Sequence, residues 1–528
     1  MTSHWRGNGA RALIETLVGC GVDTCFMNPG TSEMHFVAAL DDVPEMRGVL
    51  ALFEGAATGM ADGFARMAER PASTLLHLGP GLGNGIANLH NARRAGSPVI
   101  NIVGDHATYH AALDAPLQSD IAALAGNVSG WIRTSSSPAT VAGDAAAAVA
   151  AAMAPPGQVA TLILPADVCW LEADGPADPV APIARGTADE AAIDSVAKLL
   201  TEHADDPGSV VMLLGGNVCR AADLEAAGRI SAATGAKLLA DTFPTRLERG
   251  AGRPHVDRLA YLAEFVELQL AGARHIVLVG SPEPVSFFAY PGRASRLVPD
   301  GCTVHTLTEA SDDSTAALGA VADLLGTPAD GFMPTAPGRP ALPTGSLTAP
   351  DVCNVVGALM PEGAIVADEG NTAGIFLPGA TAGAPPHDWL CLTGGAIGQG
   401  LPVATGAAIA CPDRRVISIE ADGSAMYTLQ SLWTQAREGL DVTTLIINNG
   451  SYAILNMELE RVGADAPGPR AKEMLDISGP TLDFVSLSEG LGVPATRATT
   501  AEELADQLSR SLATEGPSVV EAIVPAGF

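Results

Sequence analysis

The chain has 528 residues, 47% of them hydrophobic and 17% charged, with 58 glycines, 4% aromatics and a formal net charge of −30. Apolar residues on this scale exclude a disordered chain, and the length calls for about three domains rather than one core. The acidic surplus excludes nucleic acid as a partner, and no apolar run approaches the roughly 20 residues needed to span a bilayer.

In chain order, a helical pattern runs over residues 10–18, with no apolar signal core before it. Short apolar runs at 74–78, 98–103 and 160–164 read as buried parallel strands set between helices. Residues 173–182 (ADGPADPVAP) read as a linker. The alternation resumes with strands at 209–214, 237–240 and 275–279 and a helix over 221–234, then pauses in a Pro/Gly/Thr-rich stretch at 326–350. Strands at 364–367, 415–419, 442–447 and 518–523 complete the pattern. Strands alternating with helices predict an α/β fold of three consecutive doubly wound parallel sheets, with domains at 1–182, 183–340 and 341–528. Eight cysteines (Cys20, Cys25, Cys169, Cys219, Cys302, Cys353, Cys391 and Cys411) are scattered without a C-x-x-C pair, which predicts a reducing, cytoplasmic setting and no zinc site.

The most specific pattern lies in the last segment. A strand runs into Glu420-Ala421-Asp422-Gly423-Ser424, a helical stretch follows, and a second strand ends in Asn448-Asn449, 27 positions after Asp422. A carboxylate and an amide oxygen at the carboxyl ends of neighbouring parallel strands form half of a shell for a small hard cation bridging to a diphosphate. Gly423 lets backbone approach phosphate, and the following helix offers its amino terminus. The bland reading is a strand–turn–helix with ordinary Asp and Asn caps. In the first segment, Glu54 precedes a Gly/Ala-rich helical run (residues 55–66). It is either a first-turn charge favoured by the helix dipole or a carboxyl buried by Leu50, Leu52 and Phe53 that shares a proton with a ring nitrogen.

Together these stretches resemble the thiamine-diphosphate (ThDP) enzymes, whose signature begins Gly-Asp-Gly and ends in paired asparagines; Ala421 stands at the first glycine. The resemblance implies a pyrimidine-binding first domain, a central Rossmann-like domain and a diphosphate-binding third domain. It makes Asp422, Asn449 and the Ser451 carbonyl the Mg2+ ligands, with Gly423 and Ser424 beside the diphosphate. Glu54 matches the glutamate that activates the cofactor. Residues 393–402 (TGGAIGQGLP) resemble the stretch carrying the bulky residue beneath the cofactor, which places Ile397 there and the Gly395 carbonyl at the amino group. Glu369-Gly370-Asn371-Thr372 resembles a diphosphate-side loop and brings in Asn371. In this family the cofactor usually sits between subunits, so a homodimer or a dimer of dimers is expected.

Within the family the chain resembles the branch of acetolactate synthase and benzoylformate decarboxylase. Asn28-Pro29-Gly30-Thr31-Ser32-Glu33 looks like the decarboxylase loop whose serine binds the substrate carboxylate; Ser32 takes that role or caps the helix near Met34. His77 falls at an active-site histidine, for acid–base work, while Gly79-Pro80-Gly81 is closer to acetolactate synthase. The decarboxylase's second histidine would fall near Ser286-Phe287-Phe288, where no ionisable group stands; His106 and His110 either face the pocket in its place or lie on the surface. Gly215-Gly216-Asn217 does not make G-x-G-x-x-G, which leaves FAD unsupported. The implied reaction is ThDP/Mg2+-dependent decarboxylation of a 2-oxo acid with transfer of the acyl-anion equivalent to an aldehyde or 2-oxo acid acceptor. The alternatives are simple decarboxylation to an aldehyde and a catalytically silent ThDP-binding paralogue.

Overall fold

A computed structural model describes residues 5–464 and 468–526. Its strands assemble into three sheets drawn from residues 24–165, 210–308 and 365–523, with one strand crossing between them. The fold is the α/β arrangement of parallel-dominated sheets that the alternation predicts. The first sheet orders Arg47–Leu50, Thr24–Asn28, Ala72–Leu76, Val99–Asp105, Val159–Pro165 and Trp131–Thr134, all parallel. The central sheet orders Asp257–Arg258, Lys237–Ala240, Val210–Leu214, His275–Val279 and Thr303–Thr308, again all parallel. Such strands are covered by helices on both faces, which is why Val210–Leu214 and Val442–Asn448 are buried along their whole length and the first reads as a continuous apolar run.

Some strands without an apolar run in the sequence lie at sheet edges. Arg47–Leu50 and Trp131–Thr134 close the two sides of the first sheet, and each carries exposed positions, so neither reads as a buried strand. The third sheet orders Ala495–Ala498, Ser518–Ile523, Val442–Asn448, Val416–Ala421, Ile365–Glu369 and His387–Cys391 in parallel. Its last strand is Leu247–Arg249, which leaves the middle segment and pairs antiparallel with His387–Cys391. Three predicted boundaries also move. The strand read at 74–78 ends at Leu76, and the helix Leu78–Ala95 follows from His77 as its N-cap. The strand read at 415–419 continues through Glu420 to Ala421. The stretch at 326–350 ends in the helix Ala349–Leu359, capped by Thr348.

Two buried helices, Glu54–Ala68 and Gly400–Ala410, join the first and third sheets. They touch through backbone: a Cβ on Gly63 would lie 2.1 Å from the Val403 carbonyl oxygen, and one on Gly406 1.9 Å from that of Met60. Only glycine permits that approach. A buried ion pair fastens the same seam. Asp62 and Arg66 are both fully buried; Arg66 also donates to the Cys391 carbonyl and Thr393, while Ser97 and Gln399 donate to Asp62. With its hydrogen bonds made on both sides, the pair escapes most of the desolvation cost of burial. Among the described residues, no helix is long and apolar enough to cross a membrane. All eight cysteines are free, five of them buried.

Candidate active site

Open parallel sheets bind ligands beyond the carboxyl ends of their strands, where the strand order reverses. In the first sheet that point lies between Thr24–Asn28 and Ala72–Leu76. The loop carrying Ser32 leaves the first of these strands and His77 follows the second. In the third sheet it lies between Ile365–Glu369 and Val416–Ala421, which lead directly into Asn371 and Asp422. The residues singled out in the sequence therefore fall on two sheet edges as two clusters.

The first cluster is built from titratable side chains. Glu54 is the first residue of its helix and 7% exposed, and its Oε2 accepts from Asn84 Nδ2 at 3.0 Å. A Cβ on Gly81 would lie 3.1 Å from Glu54 Oε1 and 3.5 Å from His77 Cβ, so the two residues flank one glycine. His77 Nδ1 lies 2.8 Å from Glu33 Oε2. Ser32 is half-buried in the turn Thr31–Glu33, and the cap of the Met34–Ala39 helix is Glu33, not Ser32. The carboxylate of Glu33 folds back onto the Gly30 N–H, which leaves Ser32 outside the capping pattern. His106 and His110 follow the neighbouring strand with ring centroids 5.2 Å apart. Among the described residues, no hydrogen bond joins either ring to His77 or Glu54.

The second cluster is built from oxygens and backbone N–H groups. Asp422 Oδ1 accepts from Gly423 N, and its Oδ2 from Gly450 N at 2.7 Å and Asn449 N at 3.1 Å; burial pushes the carboxyl above its ordinary range. Asn449 Oδ1 accepts from Ser451 N, whereas Asn448 turns away to Glu521. Among the described residues, no three His, Cys, Asp or Glu side chains group as metal ligands. A cation here would rest on one carboxylate, the Asn449 amide oxygen and a backbone carbonyl, a hard oxygen set that fits Mg2+. Ala421 closes its strand in an extended conformation (φ −79°, ψ 148°), so no glycine is required at that turn. The helix after it, Asp422–Thr428, has only 7 residues. Gly423 is needed, because a Cβ there would lie 2.4 Å from the Tyr452 ring. Ser424 is buried and accepts from Asn371 Nδ2 at 2.8 Å, with Asn371 held at φ 45°.

Between the clusters runs the turn holding Gly395 and Ile397, the latter half-buried. Gly395 sits at φ 72° with the Phe287 ring against it: a Cβ would lie 2.7 Å from Phe287 Cζ. Phe243, Tyr261 and Phe288 pack around Phe287, with centroids 4.9–5.9 Å away. Two supports of this turn went unread in the sequence. Glu369, fully buried and pushed up to about 7 by desolvation, accepts from Gly398 N and Gly400 N. Asn88 Nδ2 bridges the Gly55 and Gly398 carbonyls, and Asn91 holds the Ala396 carbonyl. The signal was present as the spacing Asn84, Asn88, Asn91, one helix face in an otherwise apolar and glycine-rich run. A cavity of about 870 Å³ lies elsewhere, at the switch point of the central sheet beside Gly216, Asp241 and Gly280.

Two family descriptions match the chain: "Thiamine pyrophosphate enzyme, N-terminal TPP binding domain" over residues 7–125, and "Thiamine pyrophosphate enzyme, C-terminal TPP binding domain" over residues 377–522. The first covers Ser32, Glu54 and His77; the second covers Gly395, Ile397, Asp422 and Asn449. The chain is 58% identical over 526 residues to a Mycobacterium tuberculosis protein named "Putative acetolactate synthase large subunit IlvX", covering 98% of this chain and 99% of that one. It is 30% identical over 542 residues to the benzoylformate decarboxylase of Pseudomonas aeruginosa, covering 97% of each. A solved ThDP-dependent 4-hydroxybenzoylformate decarboxylase from Rhodococcus jostii RHA1 superposes with a TM-score of 0.85 over 98% of this chain and 99% of that one; at 24% identity it speaks for the fold.

Proposed function

The chain belongs to the thiamine pyrophosphate enzymes, of the acetolactate synthase and benzoylformate decarboxylase type, and from that premise we propose that it is a Mg2+-dependent carboligase. It would decarboxylate a 2-oxo acid and pass the acyl-anion equivalent to an aldehyde or a second 2-oxo acid. Bound ThDP would supply the electron sink that takes up the pair released with carbon dioxide.

The chain's own residues divide the remaining work. Glu54, oriented by Asn84, would be the group that exchanges a proton with bound ThDP. Asp422, Asn449 and the Ser451 carbonyl hold the metal against the diphosphate, next to Gly423, Ser424 and Asn371. Ile397 and the Gly395 carbonyl would be the groups of this turn that hold the cofactor. Ser32 binds the substrate carboxylate, and His77 moves the proton at the reacting carbon. Activation and metal binding sit in separate clusters of the chain, with exposed Leu52 beside Glu54 and exposed Met426 and Tyr427 beside Asp422. A second subunit covering both edges makes a homodimer, or a dimer of dimers, the working unit.

The observation that carries carboligation over simple decarboxylation is the Phe287 ring against Gly395 within its aromatic surround. Phe287 is 42% exposed and carries no titratable group, so it supplies no proton beside Gly395, and a second carbonyl can compete for the carbanion equivalent. The Glu33–His77 contact favours the decarboxylase reading, since it equips one histidine for protonation. A panel of 2-oxo acids, each with and without carbonyl acceptors, decides between them by carbon dioxide release and product mass. Acceptor-dependent C–C products establish the carboligase; aldehyde alone, with every acceptor, overturns it.

A further inference from the structure

Glu33 lies in the hexapeptide that drew attention to Ser32, yet its own place is the more constrained. It is fully buried, at the point where the loop after Thr24–Asn28 meets the ends of Ala72–Leu76 and Val99–Asp105. Its Oε2 accepts from the Gly30 N–H at 2.7 Å and faces His77 Nδ1 at 2.8 Å, while its Oε1 has no hydrogen-bond partner among the described residues. Two glycines make the space. A Cβ on Gly104 would lie 1.6 Å from Glu33 Oε1, and one on Gly30 would lie 2.4 Å from His77 Cγ and Nδ1.

We infer that Glu33 is a positioning residue for His77, fixing its Nδ1–H tautomer and leaving Nε2 as the nitrogen that exchanges a proton with the substrate. The inference rests on the acid–base reading of His77 given above. The chemistry follows from the donor inventory. An ionised carboxylate only accepts, so the imidazole nitrogen facing it must carry the hydrogen, and the other nitrogen keeps the lone pair. When Nε2 takes a proton, the Nδ1–H of the resulting cation still faces the buried carboxylate. His77 is 24% exposed and Glu33 is not, so the carboxylate is screened while the histidine stays reachable. Burial also pushes the Glu33 carboxyl upward, and the His77 contact draws it back. The other titratable groups around the pair are Asp105 and His106 at the end of the adjacent strand, Asp167 and Cys169 on the helix Ala166–Trp170, and Glu54 across Gly81. None of them shares a hydrogen bond with His77 among the described residues.

The test is a 15N-imidazole NMR titration of the full chain, with and without ThDP and Mg2+, the His77 resonance being assigned by its loss in His77→Gln. The wild type should show the Nδ1–H tautomer. Glu33→Gln, whose amide can either donate or accept, should mix the tautomers. Glu33→Asp, which keeps the charge on a shorter arm, should retain the Nδ1–H tautomer. An unchanged tautomer in Glu33→Gln overturns the inference, and so does a Glu33→Asp protein whose tautomers mix as in Glu33→Gln. Failure of the acid–base reading is a separate result: His77→Gln turning over 2-oxo acids at the wild-type rate removes His77 from the chemistry whatever the NMR shows.

Discussion

The two clusters at the sheet edges solve different problems with different chemistry. The edge of the first sheet holds side chains that titrate: Glu54 on Asn84, His77 on Glu33. The edge of the third sheet holds Asp422 among three backbone N–H groups and a glycine-bearing turn pinned by Glu369. Moving a proton calls for groups whose charge can change, set by burial and neighbours. Holding a metal and a diphosphate calls for fixed oxygens and close backbone approach. The difference teaches that turnover and cofactor affinity should be separable by mutation.

The sharpest break is Glu54→Gln, which keeps shape and removes the exchangeable proton. Turnover should fall by about 10²–10⁴, while ThDP affinity by calorimetry stays within tenfold; retained turnover would sink the role of Glu54. Asp422→Ala should do the reverse, weakening Mg2+-dependent ThDP binding by about 100-fold or more, read by the same calorimetry. Gly406→Val attacks the seam between the two edges. Its new side chain would meet the Met60 carbonyl, and the cost should be about 1–3 kcal/mol in urea unfolding, with a matching fall in melting temperature. Phe287→His places an ionisable group against Gly395 and should raise the share of aldehyde over C–C product several-fold; an unchanged ratio would remove Phe287 from partitioning.

A smaller effect marks the third sheet in acid. His387 is held down to about 4 by burial, against an ordinary 6.5. The unfolded chain takes up that proton first, so the stability contributed by the neutral ring is present above about 6.5 and is lost as pH falls toward 4. Melting scans across that window should show a shallower decline in His387→Gln than in the wild type.

The third-sheet cluster was legible because its groups follow one another along strands: Asp422 and Asn449 each come directly after a strand that reads as an apolar run. The first-sheet cluster was legible only in part. Glu54 and His77 stood out by neighbourhood, whereas Glu33 was visible merely as a neighbour of Ser32, because its partner lies 44 residues away. Leu247–Arg249 was invisible for a similar reason, since a three-residue strand carries no periodicity and its pairing with His387–Cys391 is long-range.

By itself the sequence determined the alternation of strands and helices and hence three parallel-dominated sheets, because a strand buried on both faces must be apolar along its length. It also placed the chemistry-bearing residues at strand ends, because glycine-rich turns mark where backbone leaves a sheet. Only the tertiary structure decided which of those ends meet. That choice depends on glycines at which two helices touch, on an asparagine stripe bridging two segments, and on a buried carboxylate facing one histidine. Each is a contact between residues far apart in the chain, and no local pattern encodes it.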